Sequence, residues 1–119
     1  MATVVPTFDT VREIGLALPG VEEGLAYGSP ALKLNGQVLA CIPAHKSAEP
    51  DSLMVRVPLE ERAELLEADP DLYYLPEHYA GHSSILIRLP RADREILRDL
   101  LGMAWKFVSK QTAKRKPAR

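Results

Sequence analysis

The dipeptide Asn35-Gly36 constrains the fold of this chain more than any other feature of the sequence. It separates two short apolar stretches, residues 31–34 and 37–42, and both of its residues tolerate the positive φ angles of a two-residue β-turn. The sequence therefore predicts an antiparallel hairpin. In the expected register, Leu34 lies opposite Gln37 and Leu32 lies opposite Leu39.

Helical periodicity predicts three helices. The first is capped by Thr7, spans residues 8–18 and ends at Pro19-Gly20. The second opens at Pro58, and the third begins at Asp93 or a neighbour. The side chains expected to face the core are Leu59, Ala63 and Leu66 in the second helix, and Ile96, Leu97, Leu100, Leu101, Ala104, Phe107 and Val108 in the third. The side chains expected to stay in solvent on the second helix are Glu60, Glu61, Arg62 and Glu64.

Alternating apolar residues predict two further strands, over residues 52–57 and 85–89, and residues 27–30 are typical of a turn between strands. The expected order is one helix, a run of hairpin-linked strands, a second helix, one strand and a last helix. Because hairpins impose antiparallel pairing, we expect a two-layer α+β domain with helices packed on an antiparallel sheet.

The length of 119 residues fits a single domain, residues 1–119, with a folded core over about residues 7–110. No stretch approaches the ~18 apolar residues of a membrane-spanning helix. The first residues lack the basic segment and apolar run of a signal peptide. The single cysteine, Cys41, cannot form an internal disulfide. These features predict a soluble cytoplasmic domain without membrane contact.

The charges are distributed unevenly along the chain. Residues 1–99 carry 9 Lys and Arg against 16 Asp and Glu, whereas residues 100–119 carry six cations and no acid. The segment 110–119 is expected to be a solvated basic tail, and contact with phosphate or an acidic partner is the alternative. The cations of residues 100–119 are Lys106, Lys110, Lys114, Arg115, Lys116 and Arg119.

Several segments occur in a characteristic order: Leu18-Pro19-Gly20-Val21-Glu22-Glu23, residues 27–33, the hairpin ending in Leu39-Ala40, residues 61–70, residues 75–79, and residues 85–89 followed by Leu97, Leu100, Leu101 and Ala104-Trp105. Together they resemble the MmcQ/YjbR family of small bacterial domains, over about residues 7–110. The sequence departs at Ser83-Ser84-Ile85, where many relatives are expected to carry Gly-Trp. The resemblance implies a compact α+β fold likened to a double wing, and a DNA-binding assignment that follows from that likeness.

Residues 69–84 hold three of the four tyrosines and two of the three histidines. His78 and His82 have a spacing that would place two imidazoles on one face of a helix, as in some zinc sites. Pro76 and Gly81 disfavour that helix, and no third ligand stands out. We therefore predict neither a metal nor a cofactor, and interpret the rings as a brace between the second helix and the last strand.

For nucleic acid, cations must contact phosphate, and rings can stack on bases. The candidate contacts are Lys33, Lys46, Arg56, Arg88, Tyr73, His78 and Tyr79. Arg56 and Arg88 could instead pair with carboxylates of the acidic helices, and the tyrosines could be half-buried packing. The first hypothesis is weak, salt-sensitive DNA binding.

The second hypothesis is a small interaction module in which a groove lined by Tyr73, His78 and Tyr79 binds a protein or small ligand. A catalytic site is not predicted. Cys41 lies in an apolar strand without an activating base, and there is neither a nucleophile elbow nor a phosphate-binding glycine loop.

Overall fold

The computed structural model describes residues 6–114. The elements in chain order are α1 (Phe8–Leu16), β1 (Val21–Ala26), β2 (Ser29–Leu34), β3 (Gln37–Cys41), β4 (Ser52–Arg56), α2 (Leu59–Ala68), β5 (Tyr73–Tyr74), α3 (Glu77–Ala80), β6 (Ser84–Arg88), a 3-10 turn (Leu89–Arg91) and α4 (Arg94–Lys114). The strands form one antiparallel sheet in the order β1-β2-β3-β4-β6-β5. The predicted α+β class is confirmed. None of the helices in this range is long and apolar enough to cross a membrane.

The sheet has two differently covered faces. On the helix face, α1 and α4 pack on residues such as Leu32, Leu53 and Ile85, which are completely buried. On the opposite face, here called the loop face, a smaller core around Met54 and Leu86 is packed by the loop of residues 42–51 and by α3. Helices α1 and α4 thus cover the main core, whereas the loop of residues 42–51 and the four-residue helix α3 cover the opposite face.

The hairpin at Asn35-Gly36 is confirmed. Both residues have positive φ, 54° and 81°, and Leu34 pairs with Gln37. The predicted pairing of Leu32 with Leu39 is wrong, because a bulge between Leu32 and Lys33 shifts the register and sets Leu32 opposite Ala40. As a result Leu39 and Ala40 both belong to the helix-face core, whereas Cys41 joins the core of the loop face.

The predicted turn at residues 27–30 joins two strands, one of which the sequence analysis missed. Tyr27 and Gly28, with φ 54° and 80°, link β1 to β2. Strand β1, Val21–Ala26, contains two adjacent glutamates and a glycine, so it lacks the alternation from which strands are recognised. It forms one edge of the sheet.

Helix α2 contacts the core differently from the prediction. Leu59 and Ala63 are exposed, and Leu65 and Leu66 are the side chains packed against the core. Pro58 precedes this helix as expected. The prediction is therefore confirmed for Leu66 and wrong for Leu59 and Ala63, because the adjacent Leu65, and not those two residues, shares the buried face with Leu66.

The last helix follows the prediction closely. The Asp93 carboxylate accepts a hydrogen bond from the Ile96 backbone N–H at 2.8 Å, which caps the helix. Its predicted stripe is buried or partly buried throughout. The helix continues to Lys114, so residues 110–114 of the predicted tail are helical. Arg115, Lys116 and Arg119 lie outside the described residues.

Candidate functional site

The two adjacent tyrosines of β5 point to opposite faces of the sheet. Tyr73 is buried in the helix-face core, 7% exposed, and this burial raises the pKa of its phenol. The Tyr74 hydroxyl reaches the loop face, where it accepts the Glu49 backbone N–H at 2.7 Å and hydrogen bonds to the buried Ser52 hydroxyl. The predicted groove lined jointly by Tyr73, His78 and Tyr79 is therefore not formed, because a strand alternates its side chains.

Three rings from separate segments meet above the loop face and are here called the ring cluster: His45, His78 and Tyr79. The His45 and His78 rings stack in parallel, 3.6 Å between centroids. Tyr79 contacts both rings edge-on, and its hydroxyl accepts the His45 backbone N–H at 3.3 Å. His45 and His78 are 33 residues apart, and no local pattern in the sequence indicates that their rings meet.

The surroundings of His45 favour its neutral form. The His45 Nδ1 accepts the Ser47 backbone N–H at 3.1 Å, which leaves Nε2 as the protonated nitrogen of the neutral ring. Desolvation, followed by the nearby His78 and Lys46, lowers the pKa of His45. A positive charge on His45 would lie in a desolvated position near Lys46, which disfavours its protonation.

The pair His78 and His82 does not form a two-ligand helical site. Helix α3 ends at Ala80, and His82 follows it in the next turn, where its backbone carbonyl accepts a hydrogen bond from Arg62. Within residues 6–112, no group of three or more His, Cys, Asp or Glu side chains is placed to hold a metal ion.

Arg62, predicted to remain in solvent, fixes the segment that follows α3. Its guanidinium donates to the backbone carbonyls of Ala80, His82 and Ser84, at 3.3, 2.6 and 3.3 Å. A single arginine on α2 thereby satisfies three carbonyls of an irregular turn. No local sequence signal marks such a role, because its partners lie about twenty residues further along the chain.

Arg88 serves a similar internal role on the other side of the loop face. It binds the Glu49 carboxylate through two nitrogens, each at 2.8 Å, and lies 4.4 Å from the centre of the Tyr74 ring. It also donates to the carbonyls of Pro70 and Asp71. The expected carboxylate pairing is thus found, although with an acid of a loop rather than of a helix. The pKa of Glu49 is lowered by this arginine.

Arg56 has no carboxylate partner among the described residues. Its guanidinium donates to the Ser83 carbonyl and the Gln111 side chain, both at 3.1 Å, and lies 5.5 Å from the Phe107 ring centre. Burial lowers its pKa. The expectation that Arg56 pairs with an acidic helix is wrong, since it connects β4 to the end of α4 instead.

The lysines are arranged differently from these arginines. Among residues 6–112, Lys33, Lys46, Lys106 and Lys110 make no ion pair. Lys33 lies on β2 two residues before the Asn35-Gly36 turn, and the Asn35 amide donates to the Thr112 hydroxyl of α4 at 2.9 Å. This bond brings the hairpin turn and the last turns of α4 to one end of the molecule, here called the basic end.

Cys41 is 2% exposed in the loop-face core, and burial raises the pKa of its thiol to about 11. A thiol with that pKa is almost entirely protonated near neutral pH, which does not suit it as a nucleophile. No hydrogen bond joins it to a histidine among the described residues.

An open cleft of about 460 Å³ adjoins the loop of residues 42–51. Its walls come from the start of α1, the loop of residues 42–51 and the 3-10 turn, and include Phe8, Ile42 and four prolines. Glu49 and Asp51 contribute carboxylates. None of the predicted contact residues lines this cleft.

Comparison with known proteins identifies the family. The family model named YjbR matches residues 16–107. The crystal structure of Deinococcus radiodurans protein DR2400, a DUF419 domain, superimposes with a TM-score of 0.74 at 21% sequence identity, covering 94% of this chain and 85% of that chain. No curated protein gives a significant match. Because the family model spans most of the chain, the protein belongs to the YjbR family, whose function is unknown.

Proposed function

We propose that the chain binds DNA weakly through the basic end, by contacts to phosphate rather than to bases. The observation that carries this proposal is the hydrogen bond between Asn35 and Thr112, which joins the hairpin turn to the end of a lysine-bearing helix. A protruding turn next to a basic helix end can follow the backbone of a duplex.

The lysines of the basic end are available for phosphate. Lys106 and Lys110 are exposed on α4, and Lys33 is partly exposed on β2. By contrast, Arg56, Arg62 and Arg88 are occupied by carbonyls, Gln111 and Glu49. This difference between exposed lysines and internally bonded arginines supports phosphate contact by the lysines. Arg56 positions the end of α4.

The acidic remainder of the chain limits the affinity. Residues 1–99 carry a net charge of −7, from 9 cations and 16 acids, which disfavours the approach of a duplex to this part of the chain. Binding by a few lysines releases few counterions, so the affinity is low and falls by nearly one power of the salt concentration for each phosphate contact. We therefore expect low-affinity binding that does not depend on the sequence of the DNA.

The test is fluorescence anisotropy with a labelled duplex at about 50 and 200 mM salt. We expect saturable binding at low salt, weakened at high salt. The double variant Lys33→Ala/Lys110→Ala should lower the slope of log K against log salt by about 2, since each lost phosphate contact removes nearly one unit.

The matched control is Lys46→Ala. Lys46 is equally unpaired but lies in the loop after β3, at the opposite end of that strand from the Asn35-Gly36 turn. It should leave binding unchanged. Absence of saturable binding at low salt contradicts the proposal, and complete loss of binding on removal of residues 115–119 alone would show that the folded domain does not contact DNA.

A second candidate is an interaction module that uses the ring cluster. The observation in its favour is the group of partly exposed aromatic surfaces there: the His78 side chain is exposed, and the His45 and Tyr79 side chains are partly exposed. Amphipathic rings of this kind are common in contact surfaces. Fragment screening by NMR tests it: hits must shift the His45, His78 and Tyr79 signals, and hits confined to other surfaces would contradict it.

A further inference from the structure

Strand β1 lies at one edge of the sheet, and no strand of the described chain pairs with its outer side. It is hydrogen bonded to β2 on one side only, over six residues from Val21 to Ala26. Edge strands are usually protected by proline, lysine or a bulge. Strand β1 contains neither proline nor lysine and pairs regularly with β2, and its charged residues are Glu22 and Glu23.

The backbone groups that point outward are determined by the turn. In a hairpin with a two-residue turn, the flanking pair, here Ala26 and Ser29, is hydrogen bonded, and bonded pairs alternate along the strand. Glu23 and Leu25 therefore direct their N–H and C=O groups away from β2. These groups are free to pair with another strand.

Exposed apolar side chains accompany this free edge. Leu25 is 64% exposed and Tyr27 is 87% exposed, the two largest values among the exposed large hydrophobic residues described. Tyr27 also adopts a positive φ of 54°, which costs a non-glycine residue some strain. The edge hairpin thus combines unpaired backbone groups with apolar surface that the fold itself does not cover.

Two copies of β1 can pair in a register centred on Gly24, which aligns five residues of each strand, Glu22 to Ala26. When two copies run antiparallel about a two-fold axis at Gly24, Glu23 of each lies opposite Leu25 of the other, and no glutamate opposes a glutamate. The axis falls on a non-hydrogen-bonded pair, where Cα atoms approach within about 4.5 Å. Gly24 brings no side chain of its own to this point, and the Lys33 side chain of β2 lies against it on one face of the sheet. A register centred on Glu23 would instead oppose like charges.

One further contact favours this register. Arg12 of α1 donates to the Glu23 carboxylate at 2.6 Å and compensates its charge beside the seam. The two Leu25 side chains become diagonal neighbours, a separation that large side chains bridge. Together these features make the edge complementary to a second copy of itself.

We propose that two copies of this chain associate through their β1 edges, with Gly24 on the two-fold axis, to form one continuous sheet. The seam is short, so the interface is below the ~1,000 Å² of stable complexes and the dimer is weak. We expect a dissociation constant between about 10 μM and 1 mM.

Analytical ultracentrifugation of the full chain, from about 10 μM to about 1 mM, tests the proposal. The wild-type should show a reversible monomer–dimer equilibrium. Leu25→Glu places a carboxylate opposite Glu23 of the other copy and should raise the dissociation constant at least about tenfold. Leu25→Lys places a cation there and should weaken the dimer much less. Leu59→Glu, which alters an exposed leucine of α2, is the matched control and should have no effect.

The proposal fails if the wild-type remains monomeric throughout this range. It also fails if Leu25→Glu leaves the dimer intact, or if Leu25→Glu and Leu25→Lys weaken it equally, because in the Gly24-centred register the carboxylate repels Glu23 of the other copy and the lysine does not. Circular dichroism verifies that each variant is folded. Substitutions of Leu25 should not unfold the domain, because its side chain is mostly in solvent.

Discussion

The two faces of the sheet are held by different physical means. The helix face buries a continuous apolar core, including Leu53, Leu97 and Leu101, that α1 and α4 cover. Among the described residues, the core of the loop face has five buried side chains, and its covering segments are held by tyrosine hydroxyls, stacked histidines and arginine-bound carbonyls. Burial of apolar area stabilises the first, and individual polar contacts position the second.

This difference implies unequal resistance to opening. Apolar burial contributes in proportion to area, so the large helix-face core accounts for most of the stability of the fold. A covering held by a few partly exposed hydrogen bonds opens at lower free energy than the whole domain unfolds. The loop face, which carries the ring cluster, is therefore the face expected to move.

The largest expected effect is on the helix face. Leu101→Ala removes a completely buried side chain between α4 and the sheet and should lower the free energy of unfolding by about 3 kcal/mol, from lost burial and a residual cavity. Urea denaturation measures it. A loss below about 1 kcal/mol would contradict the central role of this core.

The next largest effect is expected for Tyr74→Phe on the loop face. This change leaves the buried Ser52 hydroxyl and the Glu49 N–H without their partner and should cost about 1–2 kcal/mol. The control is Tyr27→Phe, whose ring is in solvent and makes no hydrogen bond among the described residues. Equal effects of the two changes on urea denaturation would show that the phenol bonds do not hold the covering loop.

A smaller and local effect is expected for Arg62→Met. It removes three bonds to the turn after α3 and should increase native-state labelling of Cys41 by a thiol reagent several-fold, with less change in global unfolding. The wild-type thiol should react slowly at pH 8, because it is buried and its pKa is about 11. Labelling of Arg62→Met at the wild-type rate would mean that this arginine does not keep the face closed.

The smallest effect is expected from pH. The folded-state pKa of His45 is lowered, so its contribution to stability is fully present above the unfolded value of about 6.5 and is lost as pH falls through the folded value. The groups that face His45 are His78, Lys46, Ser47 and Tyr79. His45→Asn should reduce the loss of stability between about pH 7 and 5, measured by urea denaturation. An unchanged pH dependence would exclude the histidine stack as its source.

Local signals predicted much of the helix face. The Asn35-Gly36 turn depends on two adjacent residues, and the stripe of α4 repeats over four turns, so both are recognisable without tertiary information. The bulge after Leu32 is different, because it depends on how β2 and β3 fit the helices above them. The sequence between the two strands does not contain that information.

The contacts that hold the loop face were not predicted, for the same physical reason. His45 stacks on His78, and Arg62 caps a turn near residue 82, through contacts between segments that are far apart in sequence. Tyr73 and Tyr74 are adjacent and chemically identical, yet one is in the main core and the other holds the covering loop. Only the position of β5 in the sheet distinguishes them.

The single tryptophan of the chain has a practical consequence. Trp105 lies on α4 and donates from its indole nitrogen to the Pro19 carbonyl at 2.8 Å, linking α4 to the segment between α1 and β1. The single cysteine lies under the opposite face. Tryptophan fluorescence and thiol labelling can therefore follow the two faces of the sheet separately in the unmodified protein. Together they would show whether the two faces open in one step or one after the other.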